Sequence, residues 1–246
     1  MVRQLVLKIL DVLGLRPYAR KLSKLLWSSG FMAWEPLVPI PEFEEAVNAA
    51  LDRLIPLGSQ EPFGDYLEFG VSRGTSMACV YRVLRDRFIK GTRFIGFDSF
   101  AGMPPEAISQ GGDPGGYRSL LFATRRYLAQ QGVDLKRVTL IKGWFKDTLN
   151  DANRSRLAIG KVQLFMIDCH IYTATRDVLR FCAPLMPERF VIIFDDWGWQ
   201  SDKGEIGQKE AFEEFLRDHP DLQVERLSGY TPQSRIFLLE RSRSLR

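Results

Sequence analysis

From Met1 to Trp27 apolar residues recur at helical spacing, with Leu5, Ile9, Leu10, Val12 and Leu13 interrupted by Lys8 and Asp11, and the pattern predicts an amphipathic helix. The rhythm breaks between Ser28 and Pro41, where Gly30, Pro36, Pro39 and Pro41 predict irregular chain. A second helix is predicted over Glu42–Ile55, with Phe43, Ala46, Val47, Ala50, Leu51 and Leu54 on one face. Beyond Asp65 short apolar runs alternate with amphipathic stretches. The runs are Tyr66–Phe69, Phe94–Phe97, Val138–Ile141, Val162–Ile167 and Phe190–Phe194; the helical stretches are Met77–Phe88, Tyr117–Gln131, Thr175–Met186 and Gly207–His219. Five runs with helices between them predict a parallel sheet covered on both faces, a doubly wound α/β fold. Two further runs, Leu222–Leu227 and Arg235–Leu239, are joined by the turn-forming Ser228–Gln233 and predict a C-terminal antiparallel hairpin. Residues 1–60 read as a helical extension and residues 61–246 as the ligand-binding domain.

Composition narrows the class. The chain has 246 residues, 45% of them hydrophobic and 26% charged, which suits a globular protein of one α/β domain plus an extension. No stretch approaches the length of apolar sequence a membrane-spanning helix needs. Met1–Leu15 lacks a long apolar run and a small-residue cleavage site, so it is a poor signal peptide. Cys79, Cys169 and Cys182 form no CxxC pair and read as reduced thiols in a cytoplasmic protein. The net charge is +4, with basic residues gathered between Arg3 and Lys24 and from Arg241 to Arg246. Solvated ends are the ordinary explanation. A contact between N-terminal helices of two copies, or with a membrane surface, is the alternative. No aromatic-basic stripe borders the strand ends, so nucleic acid is not expected as a partner.

In an open α/β sheet, ligands bind at the carboxyl ends of the strands. The first run ends in Glu68-Phe69-Gly70-Val71-Ser72-Arg73-Gly74-Thr75, where two glycines let the backbone turn and approach a ligand before a helix N-terminus. The spacing fits neither a dinucleotide fingerprint nor a P-loop, and a plain strand-to-helix turn reads equally well. Asp98 ends the second run, 28 positions after Gly70, where a carboxylate accepts both ribose hydroxyls of a nucleoside or simply caps a turn. Asp168 ends the fourth run and Asp195-Asp196 the fifth. Read singly these are a helix cap and a polar loop. Together, on one rim, three carboxylates repel unless a hard cation such as Mg²⁺ neutralises them.

From about Asp65 to Glu240 the chain resembles the macrocin O-methyltransferase (TylF-like) family of class I S-adenosylmethionine-dependent methyltransferases. The resemblance rests on Glu68–Thr75, on Gly96-Phe97-Asp98-Ser99-Phe100-Ala101-Gly102-Met103-Pro104, and on Gly143-Trp144-Phe145-Lys146-Asp147-Thr148. It continues through Asp168-Cys169-His170-Ile171-Tyr172 with Thr175, and Asp195-Asp196. It implies a Rossmann-like methyltransferase fold and Mg²⁺-assisted methyl transfer from S-adenosylmethionine to a hydroxyl of a sugar-containing or other small natural product. In that scheme Glu68, Gly70, Gly74 and Thr75 shape the cofactor turn, and Asp98 with Ser99 holds the ribose. Gly143, Trp144 and Phe145 line the adenine side, and Asp168, Asp195 and Asp196 hold the metal, Asp168 also facing the cofactor. One position departs from the family. Where its members usually carry a second aspartate after the fourth strand, this chain has His170, one of only two histidines. An imidazole there suits a general base, with loop orientation, weak ligation or an altered, inactive site as the other readings. Phe100–Tyr117 reads as a lid, and Trp197, Trp199 and Lys203 as a substrate wall. A metal-independent methyltransferase and a non-catalytic nucleoside-binding scaffold remain open.

Overall fold

A computed structural model describes residues 14–30, 34–56, 62–199 and 206–242. The first thirteen residues of the expected N-terminal helix, Lys203 and the basic run from Arg243 lie outside them. Among the described residues, the helix expected over Met1–Trp27 begins only at Arg16. Gly14 adopts a left-handed turn (φ +64°), and α1 (Arg16–Ser28) begins after it, with Pro17 in its first turn. Proline's fixed φ suits that position and no interior one. In α2 (Ile40–Leu54) Pro41 again sits at the start, and Phe43, Val47, Ala50, Leu51 and Leu54 are buried.

Seven strands form one sheet: β1 (Asp65–Phe69), β2 (Phe94–Asp98), β3 (Val138–Lys142), β4 (Val162–Ile167), β5 (Arg189–Phe194), β6 (Leu222–Leu227) and β7 (Arg235–Arg241). Their order is β3-β2-β1-β4-β5-β7-β6. The first five are parallel; β7 inserts antiparallel between β5 and β6. Alternation sorts side chains into two apolar layers. Tyr66, Phe94, Leu164, Met166 and Ile193 pack with α2 and with α3 (Thr75–Asp86). Leu67, Phe69, Phe97, Phe165 and Ile192 pack under α7 (Tyr172–Cys182) and α8 (Gln208–Asp218). With both faces covered, β1 is buried at all five positions, which is why it reads as an unbroken apolar run despite Glu68.

The helix expected over Tyr117–Gln131 starts only at Leu121 (α4, Leu121–Gln130), because Tyr117 takes a left-handed conformation (φ +58°). Two short helices, α5 (Phe145–Thr148) and α6 (Asp151–Arg156), span too few residues to show a period in sequence. The three cysteines are free thiols, and no described helix is long and apolar enough to cross a membrane. Chain order reverses between β1 and β4, and the crevice at their carboxyl ends is where this architecture binds ligands.

Candidate functional site

A cavity of about 300 Å³ opens at that crevice. Gly70, Asp98, Ser99, Gly143, Trp144, Phe145, Asp168, His170, Asp195 and Asp196 line it; Glu68, Gly74 and Thr75 do not. Glu68 is fully buried and accepts hydrogen bonds from the Tyr66 hydroxyl (2.5 Å) and the Ser76 hydroxyl (2.7 Å). Burial pushes its pKa up to about 7 against those two bonds. Gly74 turns into α3 at φ +84°, close against Leu128, and Thr75 is buried behind it.

Gly70 sets the floor of the cavity. Its φ is +91°, and a Cβ there would lie 1.7 Å from the carbonyl oxygen of Asp168. The ends of β1 and β4 touch backbone to backbone, and the Asp168 N–H donates to the Phe69 carbonyl (2.8 Å). Asp98 closes one side. Its Oδ2 accepts the Ser72 N–H (2.7 Å) and its Oδ1 the Phe100 N–H (2.5 Å), so the carboxylate is fixed by the turns after β1 and β2. Burial raises its pKa overall although both bonds favour the anion. Ser99 bonds within its own turn, its hydroxyl donating to the Gly102 carbonyl (2.7 Å). The Gly143 N–H donates to the Asp98 carbonyl (3.0 Å), which brings Trp144 and Phe145 to the rim.

The opposite side is acidic. Asp195 Oδ1 accepts the Tyr230 hydroxyl. Asp196 Oδ2 accepts both the backbone N–H and ring Nδ1 of His170, each at 3.0 Å. Gln208, fully buried, takes the Asp196 N–H on Oε1 (3.0 Å) and donates from Nε2 to the Ile167 carbonyl (3.0 Å), tying the ends of β4 and β5 together. Of the three expected ligands, Asp168 and Asp196 come together with His170, each presenting a ligand atom within 4.8 Å of the others, while Asp195 lies outside that group. Burial, then the charges of Asp195 and Asp196, hold Asp168 well above the usual carboxylate range. Burial and the Asp196 charge lift Asp195 to about 6. Such mutual repulsion is what a bound cation relieves, so this donor set fits a divalent ion. Its oxygens suit Mg²⁺, while an imidazole beside them extends the range to softer ions such as Mn²⁺.

His170 occupies a left-handed backbone position (φ +57°) and is buried. Its ring lies between Tyr117 (centroids 4.9 Å apart) and Trp199 (5.3 Å). Burial alone would lower its pKa, but the Asp196 hydrogen bond and the charges of Asp196 and Asp195 outweigh it, and the net shift is upward. With Nδ1 donating to Asp196, Nε2 is the acceptor nitrogen.

Sequence reading missed several residues here. Tyr117 is expected at the junction of the lid and a helix, with no role of its own, and Tyr230 and Gln233 only as turn formers. Gln208 lies inside the expected helical stretch Gly207–His219 and carries no motif. A second cavity of about 380 Å³, lined by Pro39, Tyr230, Thr231 and Pro232, shares Leu37, Asp195 and Gln233 with the first. Of the two tryptophans expected in a substrate wall, Trp199 lines the main cavity, whereas Trp197 packs at a tilt on the core rings of Phe237 (4.8 Å) and Phe194 (5.3 Å). The expected lid carries a 3₁₀ turn (Pro105–Gln110) docked on α7 through Gln110 Nε2 to Thr173 Oγ1 (3.1 Å).

The macrocin O-methyltransferase (TylF) family profile matches residues 45–220. Among similar proteins, the 8-demethyl-8-(2,3-dimethoxy-alpha-L-rhamnosyl)-tetracenomycin-C 4'-O-methyltransferase of Streptomyces olivaceus is 33% identical over 142 residues, 54% of this chain and 52% of that protein. The demethyldecarbamoylnovobiocin O-methyltransferase of Streptomyces niveus is 28% identical over 152 residues, 57% and 55% of the two chains. The chain thus spans about half the length of the curated relatives it matches. Among solved structures, the O-methyltransferase NovP superposes with a TM-score of 0.63 at 20% identity, covering 83% of this chain and 79% of its own. The calicheamicin methyltransferase CalS11 gives 0.61 at 19% with the same coverage, and both share the fold. With the profile matching well over half its length, the chain belongs to the macrocin O-methyltransferase (TylF) family.

Proposed function

We propose that this protein is an enzyme that transfers the methyl group of S-adenosylmethionine to a hydroxyl of a sugar-containing or related small natural product, with a divalent cation held by Asp168, Asp195 and Asp196. The observation that carries the reading is the meeting, in one cavity, of the Gly70–Asp98 crevice and the acidic rim bearing His170. The family match and the relatives named for a rhamnosyl-tetracenomycin and for demethyldecarbamoylnovobiocin support the substrate class.

When bound, the donor supplies an electrophilic methyl group and the cation a Lewis acid that lowers the pKa of an acceptor hydroxyl. The chain's own residues do the rest. Gly70 lets the backbone approach the donor, Asp98 accepts the ribose hydroxyls, and Gly143, Trp144 and Phe145 border the adenine. His170, fixed by Asp196, accepts the acceptor proton at Nε2. Tyr117 and Trp199 pack the imidazole and limit water around it. Much of the acceleration comes from holding hydroxyl and methyl carbon in near-attack geometry.

Isothermal titration of S-adenosylmethionine, with and without Mg²⁺, tests the reading. The wild type is expected to bind, and Asp98→Ala to bind at least about tenfold more weakly. The Mg²⁺ heat is expected to vanish in Asp168→Ala/Asp195→Ala. A wild type that binds no S-adenosylmethionine refutes the enzyme reading. Donor binding with no metal heat leaves a metal-independent transferase.

A further inference from the structure

Helix α1 has no place in the chemistry above, yet its composition is that of a docking element. Along Arg16–Ser28 the apolar residues Tyr18, Leu22, Leu25 and Leu26 follow helical spacing, and all are exposed, at 72%, 56%, 53% and 37%. Leu15, just before the helix, is 45% exposed. Four large apolar side chains in one stripe, open to water on a 13-residue helix, are not the scattered apolar residues of an ordinary surface. The charge is equally one-sided: Arg16, Arg20, Lys21 and Lys24 lie in the helix, and no acidic residue does.

A basic helix with an exposed apolar stripe matches one partner chemistry closely. An anionic bilayer accepts the apolar face among its acyl chains and the cations among its headgroups. A second copy of this helix is a poorer match, since it would bring together two segments that each carry four basic residues and no acidic one. The C-terminal end of the helix is tied to the chain three residues beyond Tyr117, which lines the main cavity. The Ser28 carbonyl accepts the Leu120 N–H (2.9 Å) at the start of α4, and the Glu35 carbonyl accepts Arg73 Nη1 (2.7 Å). Two residues on, Leu37 is 38% exposed and lines both cavities. We propose that α1 docks this protein onto anionic lipid surfaces, with the cavity mouth beside the contact. The proposal does not depend on which reaction the cavity performs.

The test is flotation of the full chain with vesicles of phosphatidylcholine alone or with about one-third phosphatidylglycerol. Binding is expected only to the anionic vesicles, and is expected to weaken strongly at about 0.5 M salt. Lys21→Glu should reduce partitioning more than tenfold, since each charge near such a surface is worth about a fivefold change. Leu22→Glu/Leu25→Glu should abolish it. Both variants should keep the wild-type circular dichroism and thermal midpoint, because these side chains are solvent-exposed. Three results overturn the proposal: no flotation with anionic vesicles; flotation that both variants retain; or a wild-type dimer, seen by analytical ultracentrifugation and lost in the leucine variant, which would assign the stripe to a second copy.

Discussion

Two glycines separate backbone strain from backbone crowding. Gly70 and Gly91 have nearly the same left-handed φ, +91° and +87°. Alanine at either position pays for that conformation, about 1 kcal/mol. Their surroundings differ completely: a Cβ at Gly91 meets nothing within 4 Å, whereas one at Gly70 falls 1.7 Å from the Asp168 carbonyl oxygen and 2.8 Å from its carbon. No side-chain rotation relieves a clash between two backbones. The ends of β1 and β4 must open by about 1.5 Å to reach ordinary contact. That strains or breaks the Asp168 N–H to Phe69 carbonyl bond (2.8 Å) and the Gly70 N–H to Phe97 carbonyl bond (2.9 Å). Losing one or two buried backbone bonds on top of the strain gives about 3–5 kcal/mol. Urea unfolding should place Gly91→Ala within about 1 kcal/mol of wild type and Gly70→Ala about 3–5 kcal/mol below it. Donor binding should survive the first change and vanish in the second. Equal destabilisation of the two variants would refute the argument, because strain at positive φ would then account for everything and the contact between β1 and β4 for nothing.

The acidic rim gives a pH dependence of definite sign. Asp195 and Asp168 bind protons more tightly folded than unfolded, so the stability each confers when protonated is lost as pH rises, through about 6 for Asp195 and well above the usual carboxylate range for Asp168. For Asp195 alone, the rise from 3.8 to about 6 corresponds to about 3 kcal/mol. Divalent cation should therefore raise the melting temperature of metal-stripped protein more at pH 7 than at pH 5, and equal shifts by differential scanning fluorimetry would count against cation binding by these carboxylates. Asp196→Asn should drop the His170 pKa below 6.5, since burial is the largest influence left acting on it. NMR titration of the chain's two histidines reads this directly, and an unmoved His170 would show that Asp196 does not hold the ring. Gln208→Ala strands the Asp196 N–H and leaves the Ile167 carbonyl only its bond from the Asp195 N–H (3.2 Å), and should cost about 1–3 kcal/mol in urea unfolding; a loss below about 0.5 kcal/mol would mean the bridge is dispensable.

The parallel strands were legible because a strand buried on both faces leaves a continuous apolar run, and Tyr66–Phe69 and Val162–Ile167 are such runs. Strand ends in a parallel sheet share a rim, so the grouping of Asp98, Asp168 and Asp195-Asp196 at one edge also followed from the pattern. The insertion of β7 between β5 and β6 was not legible, since antiparallel partners at a sheet edge are chosen by packing that no local period encodes. Tyr117 was legible as the end of the lid but its contact was not: helical spacing from Leu121 onward extends backward through it, and only the left-handed turn, invisible in composition, sends its ring to His170. The acidic rim shows most clearly what sequence reading omits. By sequence, Asp168, Asp195 and Asp196 are equivalent ligands on neighbouring strands. In the fold they are not, because Asp195 accepts the Tyr230 hydroxyl and Asp196 gives one oxygen to His170 twice over. Asp168 accepts no side-chain or backbone hydrogen bond on its carboxylate among the described residues, and it faces the charges of the other two. It is therefore the member of the trio whose ionised form most needs a cation, and substituting it should weaken metal binding more than substituting either partner.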